Sequence, residues 1–154
     1  MHRPIRRADR ALTQEQALEI LQNGEYGILS TVSSDGQPYG VPVSYCCVGI
    51  RLFFHCAVEG HKLENLAANP RVSFCVVGRT EVLPGQFATR YESAIVFGTA
   101  VELTGDEKLL ALTELLKKYS PDFLEKGQRY IESDAGKTRV YQIEIETVTG
   151  KARK

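Results

Sequence analysis

The stretch "YGILSTVSSDGQPYGVPVSYCCVGIRLFFHC", residues 26–56, constrains this chain most. It holds three runs rich in β-branched and aromatic residues, broken at Ser34-Asp35-Gly36 and again near Val48-Gly49. Breaks this short leave no room for a crossover helix, so the runs read as an antiparallel meander of three strands with hairpin turns. Pro38 and Pro42 fall in the second run. Proline has no N–H to give to a ladder. That strand therefore lies at an edge or carries a bulge, with backbone groups left to meet something else.

The flanking segments carry both helix and strand signals, without the strict alternation of a parallel sheet. Thr13-Gln14-Glu15-Gln16 has the form of a capping box, followed by the apolar side Ala17, Leu18, Ile20 and Leu21 and an end at Asn23-Gly24. A short helix is predicted from His61 to Ala68, stopped by Asn69-Pro70. "RVSFCVVG" reads as a fourth strand and "YESAIVFGTAVEL" as a long fifth, with "RTEVLPGQFATR" between them as a loop or irregular extension. Thr104-Gly105-Asp106-Glu107 forms a second capping-box pattern before an amphipathic helix. Its apolar side is expected at Leu109, Leu110, Leu112, Leu115 and Leu116. Ser120-Pro121 suits the N-cap and first position of another short helix. "RVYQIEIETV" closes the fold as a strand, with Tyr141, Ile143 and Ile145 on one face and Gln142, Glu144 and Glu146 on the other.

About six strands with short turns predict a mainly β fold: a small closed or half-open β-barrel with flanking helices. The expected organisation is a single domain over residues 1–154, with a basic N-terminal arm at 1–12 and a helical segment at 104–133 packed on the barrel. Helices this few cover only part of a barrel, and an uncovered face favours dimerisation.

With 154 residues, 43% of them hydrophobic and 25% charged, the chain can bury a real core. Lys plus Arg and Asp plus Glu both number 19, so no general attraction to nucleic acid or acidic lipid is expected. The basic ends, with Arg3, Arg6, Arg7 and Arg10 at the start and Lys151, Arg153 and Lys154 at the finish, read as two solvated tails. The sharper alternative is an N-terminal arm that crosses a partner subunit or screens a phosphate. No apolar run reaches the roughly 18 residues that span a bilayer, and "MHRPIRRADRALT" is too polar for a secretion signal. Cys46, Cys47, Cys56 and Cys75 all lie in apolar segments, which fits free buried thiols in the cytoplasm. Cys46 and Cys47, if extended, face opposite sides of a strand.

Chemistry concentrates in "FFHCAVEGHKLENL", residues 53–66. A metal is disfavoured. His55 and His61 stand across a strand end and a turn, His55 and Cys56 face opposite ways, and His2 lies in a tail. A Cys56–His61 thiolate pair is a weaker reading than a small core thiol after "LFFH". An anion cradle fares best. Gly60-His61-Lys62 stands where a strand hands over to a helix, and the free N–H groups of a helix start attract phosphate. Lys62 in the first turn opposes the macrodipole unless an anion meets it. On this feature alone, a cradle and a plain surface lysine stand near parity.

The ordered set "GILSTVSSDGQPYGVPVSY", "LFFHCAVEGHKLENLAANPRVSF", "YESAIVFGTAVEL" and "YQIEIETVTGKARK" resembles the FMN-binding split-barrel family of pyridoxamine 5′-phosphate oxidase, within it the nitroimidazole-resistance-type branch. The resemblance implies a six-stranded antiparallel Greek-key split barrel that forms a homodimer with FMN at the subunit interface. It implies that Val41, Pro42, Val43, Ser44 and Tyr45 line the isoalloxazine through their backbone, that His55 and Cys56 flank it, and that His61 and Lys62 hold the phosphate. Tyr91, Glu92 and Ser93 match a segment contributed by the facing subunit. His55 is the expected catalytic residue, with His61 the second choice. The activity implied is that of an oxidoreductase passing electrons from reduced flavin to a small planar acceptor such as a nitroaromatic. Alternatives are a flavin carrier without turnover, or a barrel that binds haem or a deazaflavin. The chain ends at "TGKARK" without the oxidases' Arg- and Trp-containing extension, which tells against vitamin B6 oxidation.

Overall fold

A computed structural model describes residues 3–154, which leaves His2 and the first step of the basic arm outside the described residues. Seven strands form one sheet: β1 (Gly27–Val32), β2 (Pro38–Val43), β3 (Tyr45–Val48), β4 (Arg51–Cys56), β5 (Arg71–Leu83), β6 (Ala88–Leu103) and β7 (Arg139–Arg153). Their order across the sheet is β2-β1-β5-β6-β7-β4-β3, and every pairing is antiparallel. The two edge strands, β2 and β3, are consecutive in the chain and separated only by Ser44. One residue cannot span an open sheet of seven strands. The sheet therefore curls until its edges meet, which makes a split barrel.

This geometry corrects the predicted count of six. The second run of the meander does not continue as one strand. It pairs with β1 up to Val43 and with β4 from Tyr45 onward, changing partner at Ser44. Counted as one strand with two partners, residues 38–48 restore the expected number. The prolines sit where their chemistry demands, on an edge strand bonded to β1 alone. The segment 79–90, expected to be a loop or an irregular extension, is the latter: it extends β5 and β6 as a hairpin, with Thr80–Leu83 paired to Tyr91–Ala88 beyond a bulge. Only Pro84–Gln86 and Phe87, in the left-handed region at φ 47°, turn the chain. The C-terminal basic end is not a free tail, and the N-terminal arm is tied down at its base while Arg3 and Arg6 stay exposed. Ala11 bridges to Lys151, the Leu12 N–H donates to Gly150 O at 2.9 Å, and β7 runs on through Arg153.

Among the described residues four α-helices pack against parts of the sheet: α1 (Gln14–Asn23), α2 (His61–Ala68), α3 (Gly105–Tyr119) and α4 (Leu124–Asp134). The Thr13 capping box forms, with both of its reciprocal hydrogen bonds present. The second predicted box does not: Thr104 makes no side-chain cap, and the next residue, Gly105, is at φ 60°, outside the helical region. Ser120 likewise makes no side-chain cap; a short 3-10 turn over Pro121–Phe123 leads into α4.

The core has two compartments. Inside the barrel, Leu29, Tyr45, Phe54, Phe74, Val96 and Ile143 pack with Ala17 and Leu21 of α1. Outside β3, β4 and β7, a second cluster joins Cys46, Phe53 and Val140 to Ala111, Leu112 and Leu115 of α3 and Ile131 of α4. β4 is thus buried on both faces, which explains its unbroken "LFF". Leu109 and Leu110, assigned to the buried side from their spacing, are 42% and 48% exposed. Ala111 takes the inward place, because the helix rotates to set its small side chain against the sheet.

Candidate functional site

β4 delivers His55 and Cys56 in opposite directions. Cys56 is 7% exposed and packs inside the barrel, where burial raises its thiol pKa. Its carbonyl accepts a hydrogen bond from the Thr138 hydroxyl at 2.8 Å. It is a core thiol, and of this pair only His55 turns its side chain outward. The His55 imidazole is exposed and has no hydrogen-bond partner among the described residues. Desolvation by its surroundings, then the positive charge of Lys62, lower its pKa from the ordinary histidine value. Lys62 thus lies within electrostatic reach of His55.

Four residues beyond Cys56, Gly60 caps α2 at φ 141°, a conformation that favours glycine. The N–H groups of Leu63 and Glu64 both donate to Gly60 O at 3.1 Å. Those of His61 and Lys62 have no protein acceptor among the described residues. A Cβ at Gly60 would meet nothing within 4 Å, so the approach to these donors is open. The helix start is held firmly. Leu63 and Leu66 enter the core, and the buried Asn65 side chain donates to the Thr31 hydroxyl of β1 at 3.0 Å. The His61 ring packs on Tyr39 of β2 with centroids 4.2 Å apart. Two free N–H groups, the half-buried Lys62 and an open face suit an anionic oxygen cluster.

The strand change at Ser44 stands beside His55, since Tyr45 pairs with Phe54 just before it. Pro42 and Ser44 are exposed, Val41 is half-buried, and Val43 and Tyr45 are buried. The backbone of Tyr45 is already engaged. Its N–H donates to the Tyr119 hydroxyl at 2.9 Å, and its carbonyl accepts from Lys118 Nζ at 2.6 Å. The same ammonium stands 3.8 Å from the centre of the Tyr45 ring. The end of α3 therefore latches the gap between the two sheet edges, supplying partners that no neighbouring strand provides. Sequence reasoning missed this latch. "KKY" reads as the basic finish of a helix, and nothing local ties it to a residue 74 positions away.

Tyr91, Glu92 and Ser93 are not brought to this site within one chain. They pair with Arg153, Ala152 and Lys151, whereas His55 pairs with Val140 at the other end of β7. Roughly 40 Å of extended strand separates the two groups. The Glu92 carboxylate accepts the Arg79 N–H at 3.1 Å and closes the β5 bulge. A cleft of about 750 Å³ opens there, but Glu19, Glu25 and Glu92 line it, which suits an anion poorly. A second cavity, of about 570 Å³, lies against His55 and Ser44 under α3 and α4. Among the described residues no group of histidine, cysteine and carboxylate side chains is arranged to hold a metal. The four cysteines are all free. No described helix is long and apolar enough to cross a membrane.

Residues 13–152 match the family model of pyridoxamine 5′-phosphate oxidase. The chain belongs to that family. A protein of Rhizobium meliloti (strain 1021), itself uncharacterized, is 27% identical over 153 residues, covering 93% of this chain and 94% of its own. Among solved structures, a candidate 5-nitroimidazole antibiotic resistance protein from Bacteroides thetaiotaomicron superposes with a TM-score of 0.76 at 21% identity. That match covers 92% of this chain and 86% of the other. An FAD-binding protein from Mesorhizobium loti gives a TM-score of 0.67 at 26% identity, covering 94% and 98%. An FAD- and haem-binding protein from Mycobacterium smegmatis gives 0.80 at 21%, covering 92% and 72%. The split-barrel architecture is thus common to this chain and its family.

Proposed function

We propose that this chain binds FMN and acts as an oxidoreductase that passes electrons from the reduced flavin to a small planar acceptor, such as a nitroaromatic. The observation that carries the reading is the open start of α2, with its free His61 and Lys62 N–H groups and the Lys62 ammonium, beside the outward-facing His55. These residues fit the phosphate of a flavin mononucleotide. Val41, Pro42, Val43 and Ser44 would meet the ring from the free edge of β2, while Cys56 contributes backbone only. Bound there, the flavin supplies the redox chemistry, and the protein holds, orients and shields it. In this reading His55 would donate a proton to the reduced acceptor. Names of structural neighbours that bind FAD, or FAD and haem, support a flavin or haem ligand in this fold.

The reading includes a homodimer with FMN at the interface. The outer face of β2, β1, β5 and β6 carries a row Pro42, Ile28, Cys75 and Ile95, with Val77 beside it 57% exposed. A second copy on that face supplies the Tyr91–Ser93 segment that one chain cannot deliver. The free thiols accord with a cytoplasmic, reducing setting.

The test is titration of FMN, FAD and haemin into the apoprotein. FMN is expected to bind at micromolar concentration with quenched fluorescence. Binding of haemin alone, with a Soret band, would overturn the flavin assignment. Anaerobic reduction followed by a 5-nitroimidazole then tests turnover. Reoxidation that does not depend on the nitro compound would leave only a carrier.

A further inference from the structure

The cavity of about 570 Å³ under α3 and α4 has no role in holding the phosphate, yet His55 and Ser44 form part of its wall. The remaining lining is mostly apolar, with Leu112, Leu115, Leu116 and Ile131 prominent. Two unpartnered polar groups interrupt it on the sheet side, and the hydroxyls of Ser120 and Tyr130 lie on the helical side. Neither the His55 imidazole nor Ser44 makes a hydrogen bond within the described residues. The hydroxyl of Tyr119, which also lines the cavity, is by contrast committed to the Tyr45 backbone.

The charge at the wall is internally balanced. Asp134 and Lys137 both line the cavity, and they pair with each other at 3.7 Å. Neither sign of charge is left in excess to draw an ion. The wall also depends on a specific small residue. A Cβ at Gly127 of α4 would lie 2.1 Å from Leu116 Cδ1, so any larger residue there would make the Leu116 side chain shift. The helical pair is thus closely fitted along one side of the cavity while the space against His55 stays open.

We propose that this cavity is a binding chamber for the electron acceptor: an uncharged, planar aromatic or heteroaromatic molecule with one polar substituent. The flat apolar part lies among Leu112, Leu115 and Leu116, and the substituent meets His55 and Ser44. This deepens the functional reading above and rests on it for the word acceptor. The chamber itself rests only on the walls and the two free polar groups. It also gives α3 and α4 a use beyond covering the sheet: they select what reaches His55.

Two isosteric probes test it by calorimetry on the full chain, with and without FMN: neutral 4-nitrobenzamide and anionic 4-nitrobenzoate. The neutral probe is expected to bind at least about tenfold more tightly, because an apolar wall cannot solvate a carboxylate. Leu116→Trp fills the space and should weaken 4-nitrobenzamide binding by about tenfold or more while FMN affinity is unchanged. Independently of any variant, leucine methyl NMR signals of Leu112, Leu115 and Leu116 should shift on titration. No binding of the neutral probe, or shifts confined to other methyls, overturns the chamber. Loss of FMN along with the probe in a folded Leu116→Trp protein also overturns it, since the cavity would then hold the flavin ring. If the wild type takes the probe but no flavin, and Leu116→Trp loses the probe, the chamber stands while the flavin reading falls.

Discussion

The two ends of β7 carry the two halves of the candidate site, and they are built differently. At the Val140 end, His55, Ser44 and the start of α2 are fixed by packing on both faces of the sheet and by the Tyr119 latch. At the Arg153 end, the outer face is uncovered, a bulge interrupts β5, and the hairpin projects Val82 and Phe87 at 70% and 97% exposure. The first end is complete in one chain. The second presents apolar surface and backbone irregularity without a partner. In the proposed dimer the site would be half local and half intermolecular, with β7 as the strand that pairs with both halves.

The sharpest way to break the comparison is to disrupt the span joining the two ends. Gly98 lies at the β6–β7 bulge, where an added Cβ would stand 2.2 Å from Glu144 O. Gly98→Ala is expected to cost about 3 kcal/mol or more, because the clash is with backbone that cannot step aside. Thermal denaturation checks this, with a midpoint lowered by roughly 10 °C. Next in size is Lys62→Ala, which removes a charge-assisted contact worth about 2 kcal/mol. FMN affinity should fall by roughly 30-fold, and riboflavin affinity should hold. Equal losses for both ligands would remove Lys62 from the phosphate.

Tyr119→Phe isolates the packed end. It leaves the Tyr45 N–H without its acceptor and should lower stability by about 1–2 kcal/mol in denaturant titration. At the other end, Tyr91→Ala should weaken FMN binding only at protein concentrations where sedimentation shows a dimer. Equal weakening in a monomer would mean that the two ends are not joined across an interface. The smallest effect is a pH slope. The depressed pKa of His55 means that the unfolded chain takes up the proton first. Its contribution is constant above the ordinary histidine value of 6.5, declines as the pH falls below it, and levels off below the depressed pKa. His55→Gln should flatten that part of the stability profile, and an unchanged slope would assign it elsewhere.

Much of the architecture was legible in the residues. The capping box at Thr13, the helix from His61 to Ala68 and the edge position of the Pro38–Pro42 strand follow from local rules that the structure obeys. So does the opposition of Cys46 and Cys47: one packs under α3 and the other against the barrel core. Burial pushes their thiols up to about 12 and about 11, in keeping with structural rather than reactive cysteines. What local rules left open or missed has one cause. Residues 79–90, with Pro84, Gly85 and polar side chains, left a loop and an irregular extension both open, and they form the extension because each side of the hairpin supplies the other's ladder. Leu109 and Leu110 satisfy a helical apolar period, but the sheet beneath has room for Ala111 instead.

By itself, the sequence determined which backbone groups were unavailable and which faces were apolar. Proline lacks an N–H, a glycine start leaves helix donors free, and side-chain period sorts inside from outside. Only the tertiary structure decided who pairs with whom. It made Ser44 the point where one strand changes partners, and it set Tyr119 against Tyr45 across 74 residues. It also sent Tyr91 to the far end of the ladder from His55. A period of two specifies the face on which a side chain lies but carries no information about the neighbouring strand, and closure of the barrel supplies that information.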